Sequence, residues 1–404
     1  MSVIESLTIM LALAYIGSQL AFSGRQYGAW ATAALAVTSV IISLSMTLLL
    51  SLLIAAASLL VIKFAKPEWL TSEVRINPLR KAIQHLLCLS LLLVALQYSV
   101  HLWQLSQGIE PWLARPNVVD AFLPIAAGIQ LRTFIEHHAL DVHHPAALVM
   151  LVSVLLTGLI CKRAFCGWAC PLGLAGEYLY QLRKRAFPRD YTAPAWIDWP
   201  LRMAKYLLLT ALLYIVVLGL PSIALPNYLA SGYHKMADVK MAYFFLQPTT
   251  VGLLVMSAIL LIALWRRQGF CRYICPYGAL LGIVSVFSLL KVRRQPMLCL
   301  NSQGLSCDKC SRACPANIAV HRLQTVHSDE CQACLRCVAA CPKKQALGLR
   351  WFNGSRLSHR GLGMLLLTLL LVVPLLALLA GVWNSQTPIE LRMYLLSFID
   401  QLGI

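Results

Sequence analysis

Fourteen cysteines carry the chemistry this chain announces, and ten of them lie beyond residue 270. Two runs stand out: Cys307-Asp-Lys-Cys310-Ser-Arg-Ala-Cys314-Pro315, and Cys331-Gln-Ala-Cys334-Leu-Arg-Cys337-Val-Ala-Ala-Cys341-Pro342. The second is a full C-x2-C-x2-C-x3-C-P. At that spacing three close thiolates cap three irons of one [4Fe–4S] cube, and the fourth reaches a second cube. The crossover puts Cys314, Cys331, Cys334 and Cys337 on one cluster. The other takes Cys307, Cys310, Cys341 and one more. The position three before Cys307 is Gly304, so the nearby candidate is Cys299, separated from Cys307 by a seven-residue insert. Paired C-x2-C motifs also suit structural zinc, but a zinc site has little use for C-x3-C-P.

An internal repeat adds four more cysteines. Phe165-Cys166-Gly-Trp-Ala-Cys170-Pro171-Leu-Gly173 recurs as Phe270-Cys271-Arg-Tyr-Ile-Cys275-Pro276-Tyr-Gly278, each copy after an apolar run and a basic pair, Lys162-Arg163 and Arg266-Arg267. Cysteines at i and i+4 share a helical face. Cys166, Cys170, Cys271 and Cys275 can therefore form a four-thiolate site for iron, an iron–sulfur cluster or copper, or simply two buried thiol pairs. Cys88 and Cys161 read as small buried hydrophobes. Glu136-His137-His138-Ala-Leu-Asp141-Val-His143-His144 gathers four of the ten histidines. It reads as interfacial imidazoles, with zinc or copper binding, or a quinone pocket near His137 or His138, as the alternatives. There is no nucleophile motif, phosphate loop or paired carboxylates.

These residues must be positioned in a bilayer. Hydrophobic residues make up 59% of the 404 and charged ones only 12%, against about 25% in soluble domains. Apolar runs of about 20 residues span the hydrocarbon core. Seven are expected: Ile9–Phe22, Ala29–Ile62 as one long helix, Ala82–Trp103, Ala146–Cys161, Tyr206–Leu220, Val251–Trp265 and Leu362–Trp383. The N-terminal run lacks a basic flank, so it is not read as a cleaved signal. With the N-terminus inside, only Arg25, Arg115, Arg132, Lys235, Lys240 and Arg392 fall outside and the other 28 of the 34 Lys and Arg inside. That is the asymmetry the positive-inside rule demands, and it explains the net +18 without nucleic acid. The loops at 104–145 and 223–247 and the tail after Trp383 are then outside, and the cysteine-rich stretch is cytoplasmic. Between Lys291 and Arg360 stand twelve Lys or Arg and three acids. This excess follows from orientation, from stabilising a reduced, more negative cluster, or from docking an acidic donor.

The doubled F-C-x3-C-P-x-G followed by a dicluster segment resembles the NapH/NosR-type membrane polyferredoxins, most closely the YccM-type inner-membrane electron transport proteins. Ala114-Arg-Pro116, Leu123-Pro-Ile125, Asp238-Val-Lys-Met241, Cys271 through Leu280 and Ala380-Gly-Val-Trp383 add to the likeness, which runs from about Arg75 to the C-terminus. It departs at the insert before Cys307 and at the first two spans, and nothing resembles the flavin-binding domain of NosR. The fold class expected is an all-α polytopic membrane protein of about seven helices with a small α+β dicluster ferredoxin-like domain. Its parts are N-terminal helices over 1–63, a membrane core over 64–290, the cytoplasmic 2×[4Fe–4S] domain over 291–350, and a C-terminal helix with an external tail over 351–404. The resemblance implies a multi-pass protein of the bacterial inner membrane that moves electrons through two [4Fe–4S] clusters. Its partners would be a ferredoxin-like or quinone donor and a periplasmic reductase or cytochrome. A carrier is favoured over an enzyme with its own substrate; a cupric or other metal reductase and a redox-sensing assembly or regulatory protein are the alternatives.

Overall fold

The computed structural model describes residues 76–187, 194–343, 345–399 and 401–402. The spans expected at 9–22 and 29–62 lie outside these residues. The helices that matter here are α1 (Ile76–Ser106), α2 (Pro124–His137), α3 (Pro145–Cys161), α4 (Ala164–Trp168), α5 (Pro171–Ala186), α6 (Ala195–Val217), α7 (Ala237–Leu246), α8 (Thr250–Trp265), α9 (Gly269–Tyr273) and α10 (Pro276–Val286). Strand β1 (Lys291–Arg294) follows, then α11 (Arg336–Ala339), β2 (Leu347–Arg350), β3 (Arg356–Leu357), α12 (His359–Leu379) and α13 (Ile389–Leu396).

Three stretches are long and apolar enough to cross a membrane: Leu79–Ser106 in α1, Trp196–Val217 in α6, and α12. A fourth forms if α7 and α8, bent by 74° at a short break, count as one span. The chain is a membrane protein of mostly helical build, with three or four candidate spans among the described residues where the sequence led us to expect five. Two local causes account for the difference. Helix α3 has 17 residues, about 26 Å at 1.5 Å each, short of a hydrocarbon core of about 30 Å. It stops at Lys162, which takes the left-handed conformation (φ 56). The run near 251–265 is part of a broken element because Pro248 excludes the α conformation from Gln247 (φ −131, ψ 64). The Thr249 hydroxyl then restarts the helix by accepting from the Gly252 N–H at 3.2 Å.

The described chain divides into two compact units. The first comprises the described part of Met1–Ser90, with Thr157–Pro171 and Leu281–Leu371. Its sheet runs β1-β2-β3, all antiparallel, with Lys291 opposite Arg350 and Arg294 opposite Leu347. The two ends of the 291–350 segment thus pair with each other. One core serves this unit: Ile83 from α1, Cys161 from α3, Trp168 from α4, Val292 and Leu349 from the sheet, Leu335 and Val338 beside the cysteines, and Leu362 and Leu366 from α12. The cysteine-rich segment is accordingly built into the ends of three helices rather than hung from them. The second unit, Leu91–Leu156, Leu172–Leu280 and Val372–Ile404, has smaller apolar clusters, one centred on Ile129, Val216 and Leu225 and another on Ala146, Ala377 and Trp383.

Two of the leucines on α12 make a test of this core. Leu366 is fully buried and Leu376 is 59% exposed. Leu366→Ala is expected to destabilise the first unit by about 2–5 kcal/mol, lowering the thermal midpoint of the detergent-solubilised chain, whereas Leu376→Ala leaves it nearly unchanged. Equal midpoints for the two variants would contradict the assignment of the core.

Candidate metal centre

Four thiols drawn from both cysteine runs, Cys314, Cys331, Cys334 and Cys337, line a single cavity whose other walls include Ile318, Val320 and Val326. Local backbone conformation makes this geometry. In the 331–337 loop Ala333 (φ 46) and Leu335 (φ 57) are left-handed, an uncommon state for residues with a Cβ. Alternating the handedness of successive residues turns the chain back on itself and aims backbone N–H groups into the concavity, the arrangement that receives anions. Helix α11 starts immediately after and carries Cys337. Such strain persists only where surroundings hold it, and both residues are buried in the unit's core.

The four thiols act on one another. Burial, then the charges of Cys334, Cys331 and Cys314, raise the Cys337 thiol. Burial, then Cys334, push Cys314 up to about 12. Without metal Cys314 and Cys337 are neutral thiols at pH 7, so iron entering the cavity must displace their protons. No three His, Cys, Asp or Glu side chains among the described residues converge as the ligands of one ion. A cube takes its thiolates at separate corners, farther apart than the ligands of a zinc ion. The donor set, soft sulfur in an apolar cavity, suits an iron–sulfur cube.

The remaining thiols are less drawn together. Cys310 and Cys341 face each other electrostatically, and burial is the first cause of the raised Cys310 thiol. Cys299 and Cys307 are partly exposed at the two ends of the insert. Cys299 opens a turn, its carbonyl accepting from Ser302 and Gln303, that closes at Gly304 (φ 86). Its thiol is lowered: burial raises it, but the Arg294 side chain and the Ser302 and Asn301 amides outweigh that. Gly304, the residue that displaces the usual cysteine, is thus the left-handed hinge of the insert, where no Cβ is tolerated without strain.

The two copies of the C-x3-C-P repeat share one local design. Each has a five-residue helix (α4, α9), in which Phe165 or Phe270 accepts from the backbone N–H groups four and five residues on. The second cysteine follows, and then a helix beginning at proline, which suits that position because it has no N–H to leave unpaired. In copy two Cys275 Sγ accepts from the Gly278 N–H at 3.3 Å. The Gly278 amide, in the N-terminal turn of α10, thus faces the sulfur.

Beyond that the copies diverge, because residues at matched positions have different tasks. Copy one has Gly167-Trp168 where copy two has Arg272-Tyr273. A Cβ on Gly167 would lie 2.8 Å from the Gln332 carbonyl oxygen and 3.6 Å from Cys334 Cβ. The first motif therefore rests directly against the cavity loop. The Trp168 indole, fully buried, donates from Nε1 to the Ala333 carbonyl at 3.0 Å. The Gly167 carbonyl accepts from Arg80 Nη1 at 2.9 Å and Gln84 Nε2 at 2.8 Å. The basic pair ahead of the motif is not a solvated flank. Both side chains are fully buried; Lys162 Nζ donates to the Ser328 carbonyl at 2.9 Å and Arg163 Nη1 to the Asp329 carbonyl at 3.0 Å. In copy two Arg272 and Tyr273 instead donate to Asp198, each at 2.7 Å, with Arg266 at 3.3 Å. Cys166 and Cys170 belong to the first unit, Cys271 and Cys275 to the second.

The four loop histidines do not share a target. His137 Nε2 meets the Ser222 carbonyl at 3.0 Å, His138 caps α2 in the left-handed conformation, His143 Nδ1 meets Thr387 Oγ1 at 3.0 Å, and His144 is buried against Asp120. Sequence reading left unused the groups around His144, namely Arg115, Asp120, His234 and Asp238, with Arg392 on Asp238; the quoted Ala114-Arg-Pro116 and Asp238-Val-Lys-Met241 were the available signals.

The contact between motif and loop is testable. Gly167→Ala must push the Gln332 carbonyl aside, and Trp168→Phe removes the hydrogen bond while keeping an aromatic ring. Both are expected to perturb the g-values or lower the yield of a reduced cluster signal; Tyr273→Phe, at the position of copy two that matches Trp168, is expected to leave that signal unchanged. Wild-type spectra from Gly167→Ala and Trp168→Phe would contradict the positioning role.

A family model described as a 4Fe-4S binding domain matches residues 143–190 and again 248–295, and one described as a 4Fe-4S dicluster domain matches 291–342. YccM of Escherichia coli K12, named for electron transport, is 35% identical over 335 residues, which cover 80% of this chain and 91% of that one. The ferredoxin-type protein NapH of the same organism is 26% identical, over 53% of this chain and 72% of its own length. The regulatory protein NosR of Pseudomonas aeruginosa is 31% identical, over 46% of this chain but only 24% of its own. No solved structure matches. With a thiol-lined cavity, a repeat that matches an iron–sulfur model twice, and a relative alike over most of both chains, this protein is a membrane electron transport protein with 4Fe-4S binding domains and belongs to the NapH/NosR/YccM-type polyferredoxins.

Proposed function

We propose that the chain is a one-electron carrier of the bacterial inner membrane holding two [4Fe–4S] clusters on its cytoplasmic side. One would be held by Cys314, Cys331, Cys334 and Cys337, the other by Cys307, Cys310, Cys341 and Cys299. The observation that carries this reading is the cavity shared by four thiols that come from both cysteine runs, as the crossover of a dicluster segment requires. A [4Fe–4S] cube accepts and returns one electron with little rearrangement.

The chain's own residues supply what such a carrier needs. Trp168 and the buried pair Lys162 and Arg163 brace the loop that bears three of the thiols, so the ligands stay put as charge arrives. The Cys275 sulfur faces the Gly278 amide, and the two C-x3-C-P motifs would bind iron or an iron–sulfur cluster. The first motif's backbone, next to Cys334, would give electrons a route toward the membrane. Twelve Lys and Arg between Lys291 and Arg360 would attract an acidic, ferredoxin-like donor; a quinone is the other candidate donor. The acceptor would be a membrane or periplasmic reductase or cytochrome. The excess of cations on one side of the spans supports the cytoplasmic placement.

Cys166→Ser and Cys271→Ser separate the readings. In membranes containing the full chain, a carrier predicts slowed reoxidation of the reduced clusters by every acceptor offered. A metal reductase predicts a defect with Cu²⁺ alone, and a sensor predicts normal electron flow. Normal flow in both variants would sink the carrier.

A further inference from the structure

Gly304 stands where the first cysteine run of a dicluster segment usually begins, and Cys299, across the seven-residue insert, is the thiol proposed to take its place. An insert of that length adds conformational freedom, so its thiol must be held toward one corner of a cluster. The insert is shaped from within. The Cys299 carbonyl accepts from the Ser302 and Gln303 N–H groups at 3.0 and 3.2 Å, and the Leu300 carbonyl from the Leu305 N–H at 3.0 Å. Gln303 Nε2 donates to the Met297 carbonyl at 2.9 Å. These bonds all lie within 297–305 and tie the insert only to itself.

Arg294 supplies the outside tie. It ends β1, where the ladder sets it opposite Leu347 and its N–H donates to the Gln324 carbonyl at 2.8 Å. From that anchored position its guanidinium donates from Nη1 to the Ser302 hydroxyl and from Nε to the Leu323 carbonyl at 3.1 Å. It also bonds the Cys299 sulfur, which the Asn301 and Ser302 amides meet as well. One planar group thus joins the strand, the insert and the loop at 320–323 through three separate acceptors. A fork of five fixed donors can do this and a point charge cannot.

The loop at 320–323 is in turn fastened to the first cysteine run. The Ser311 hydroxyl accepts from the His321 N–H at 3.1 Å and lies 2.7 Å from His321 Nδ1. The same side chain bonds the neighbouring Cys310 sulfur. Leu323 closes the loop, its N–H donating to the Val320 carbonyl at 3.2 Å. A continuous set of contacts therefore runs from Cys299 through Arg294, Leu323, His321 and Ser311 to Cys310. It ties the thiol of the insert to the set that Cys310 forms with Cys307 and Cys341.

From this, and resting on the proposed assignment of Cys299 to the second cluster, we infer that Arg294 is the positioning residue that holds Cys299 as that cluster's fourth ligand. Without the guanidinium the turn at 299–304 keeps its internal bonds but loses its hold on the 320–323 loop. One iron corner is then left without a thiolate. The first cluster, whose four thiols share their own cavity, is unaffected. Hydrogen bonds to a ligating sulfur also tune a cluster's potential, so Arg294 makes the second cluster easier to reduce.

The test uses the full chain, purified without oxygen and titrated with ferricyanide, as wild type, Arg294→Gln, Arg294→Lys and Cys299→Ala. Arg293→Gln is the control: it removes the neighbouring cation of β1, whose Nη1 donates to the Phe352 carbonyl instead. A cube short of one thiolate gives up that iron on oxidation. [4Fe–4S]²⁺ becomes [3Fe–4S]⁺ and Fe²⁺, and one electron passes to ferricyanide. Cys299→Ala and both Arg294 variants are expected to show the EPR signal of [3Fe–4S]⁺ and to fall from about eight irons to about seven. They keep the reduced signal of the first cluster, which a general loss of structure would not. Wild type and Arg293→Gln stay EPR-silent when oxidised and lose no iron. Wild-type behaviour in both Arg294 variants, beside a loss in Cys299→Ala, overturns the positioning role and leaves the ligand assignment standing. No loss in Cys299→Ala overturns the ligand assignment and the positioning role with it. Should Arg294→Gln fail to fold, Arg294→Lys, which keeps the charge but not the fork, decides the same point.

Discussion

A loop that offers three thiolates to one cube has to be held in a shape that the backbone resists. Ala333 and Leu335 are both left-handed, and nothing local compensates them. What holds them is the packing of the first C-x3-C-P motif: the Trp168 indole bonded to the Ala333 carbonyl, Gly167 pressed on Gln332, and Lys162 and Arg163 bonded to the two residues before Glu330. Remove that support and the thiols of Cys331, Cys334 and Cys337 lose their common cavity with Cys314. The segment that binds metal and the helices that enter the membrane are consequently one structural unit, with Trp168 among its most buried side chains.

The repeat shows how one local design serves two purposes. Both copies use the same helix–cysteine–proline–helix backbone, and both need a small residue or a left-handed turn where the incoming helix ends. Copy two has Gly269 where copy one has Ala164, because a Cβ there would collide with the Ile262 carbonyl at 2.2 Å. Copy one spends its middle residues on the cavity loop. Copy two spends them on Asp198, where arginines crowd a single carboxylate. Similar sequence has been kept for the thiols and altered for the neighbours.

Legibility tracked the range of the interaction. Thiol spacing within the 307–341 segment is local, and the grouping of Cys314 with Cys331, Cys334 and Cys337 in one cavity follows it. Apolar runs identified the candidate membrane-spanning helices α1, α6 and α12 and the end of α3 at Cys161, but hydropathy alone could not see Pro248 break α7 from α8. A count of charges placed the basic pair Lys162-Arg163 on the inner side of the spans but could not reveal that two carbonyls 166 residues away await it. The buried ion network was invisible for the same reason: Arg115 and Asp238 are 123 residues apart, and only their short flanking motifs hinted at a role.

The central claim concerns what those thiols hold. The most direct measurement is iron and acid-labile sulfide per chain in protein purified without oxygen, taken together with EPR of the reduced sample. About eight irons and about eight sulfides, with a spectrum broadened by two interacting clusters, are predicted, and a higher count would assign iron to the C-x3-C-P thiols as well. A colourless protein without iron, or one carrying zinc in its place, would contradict the account.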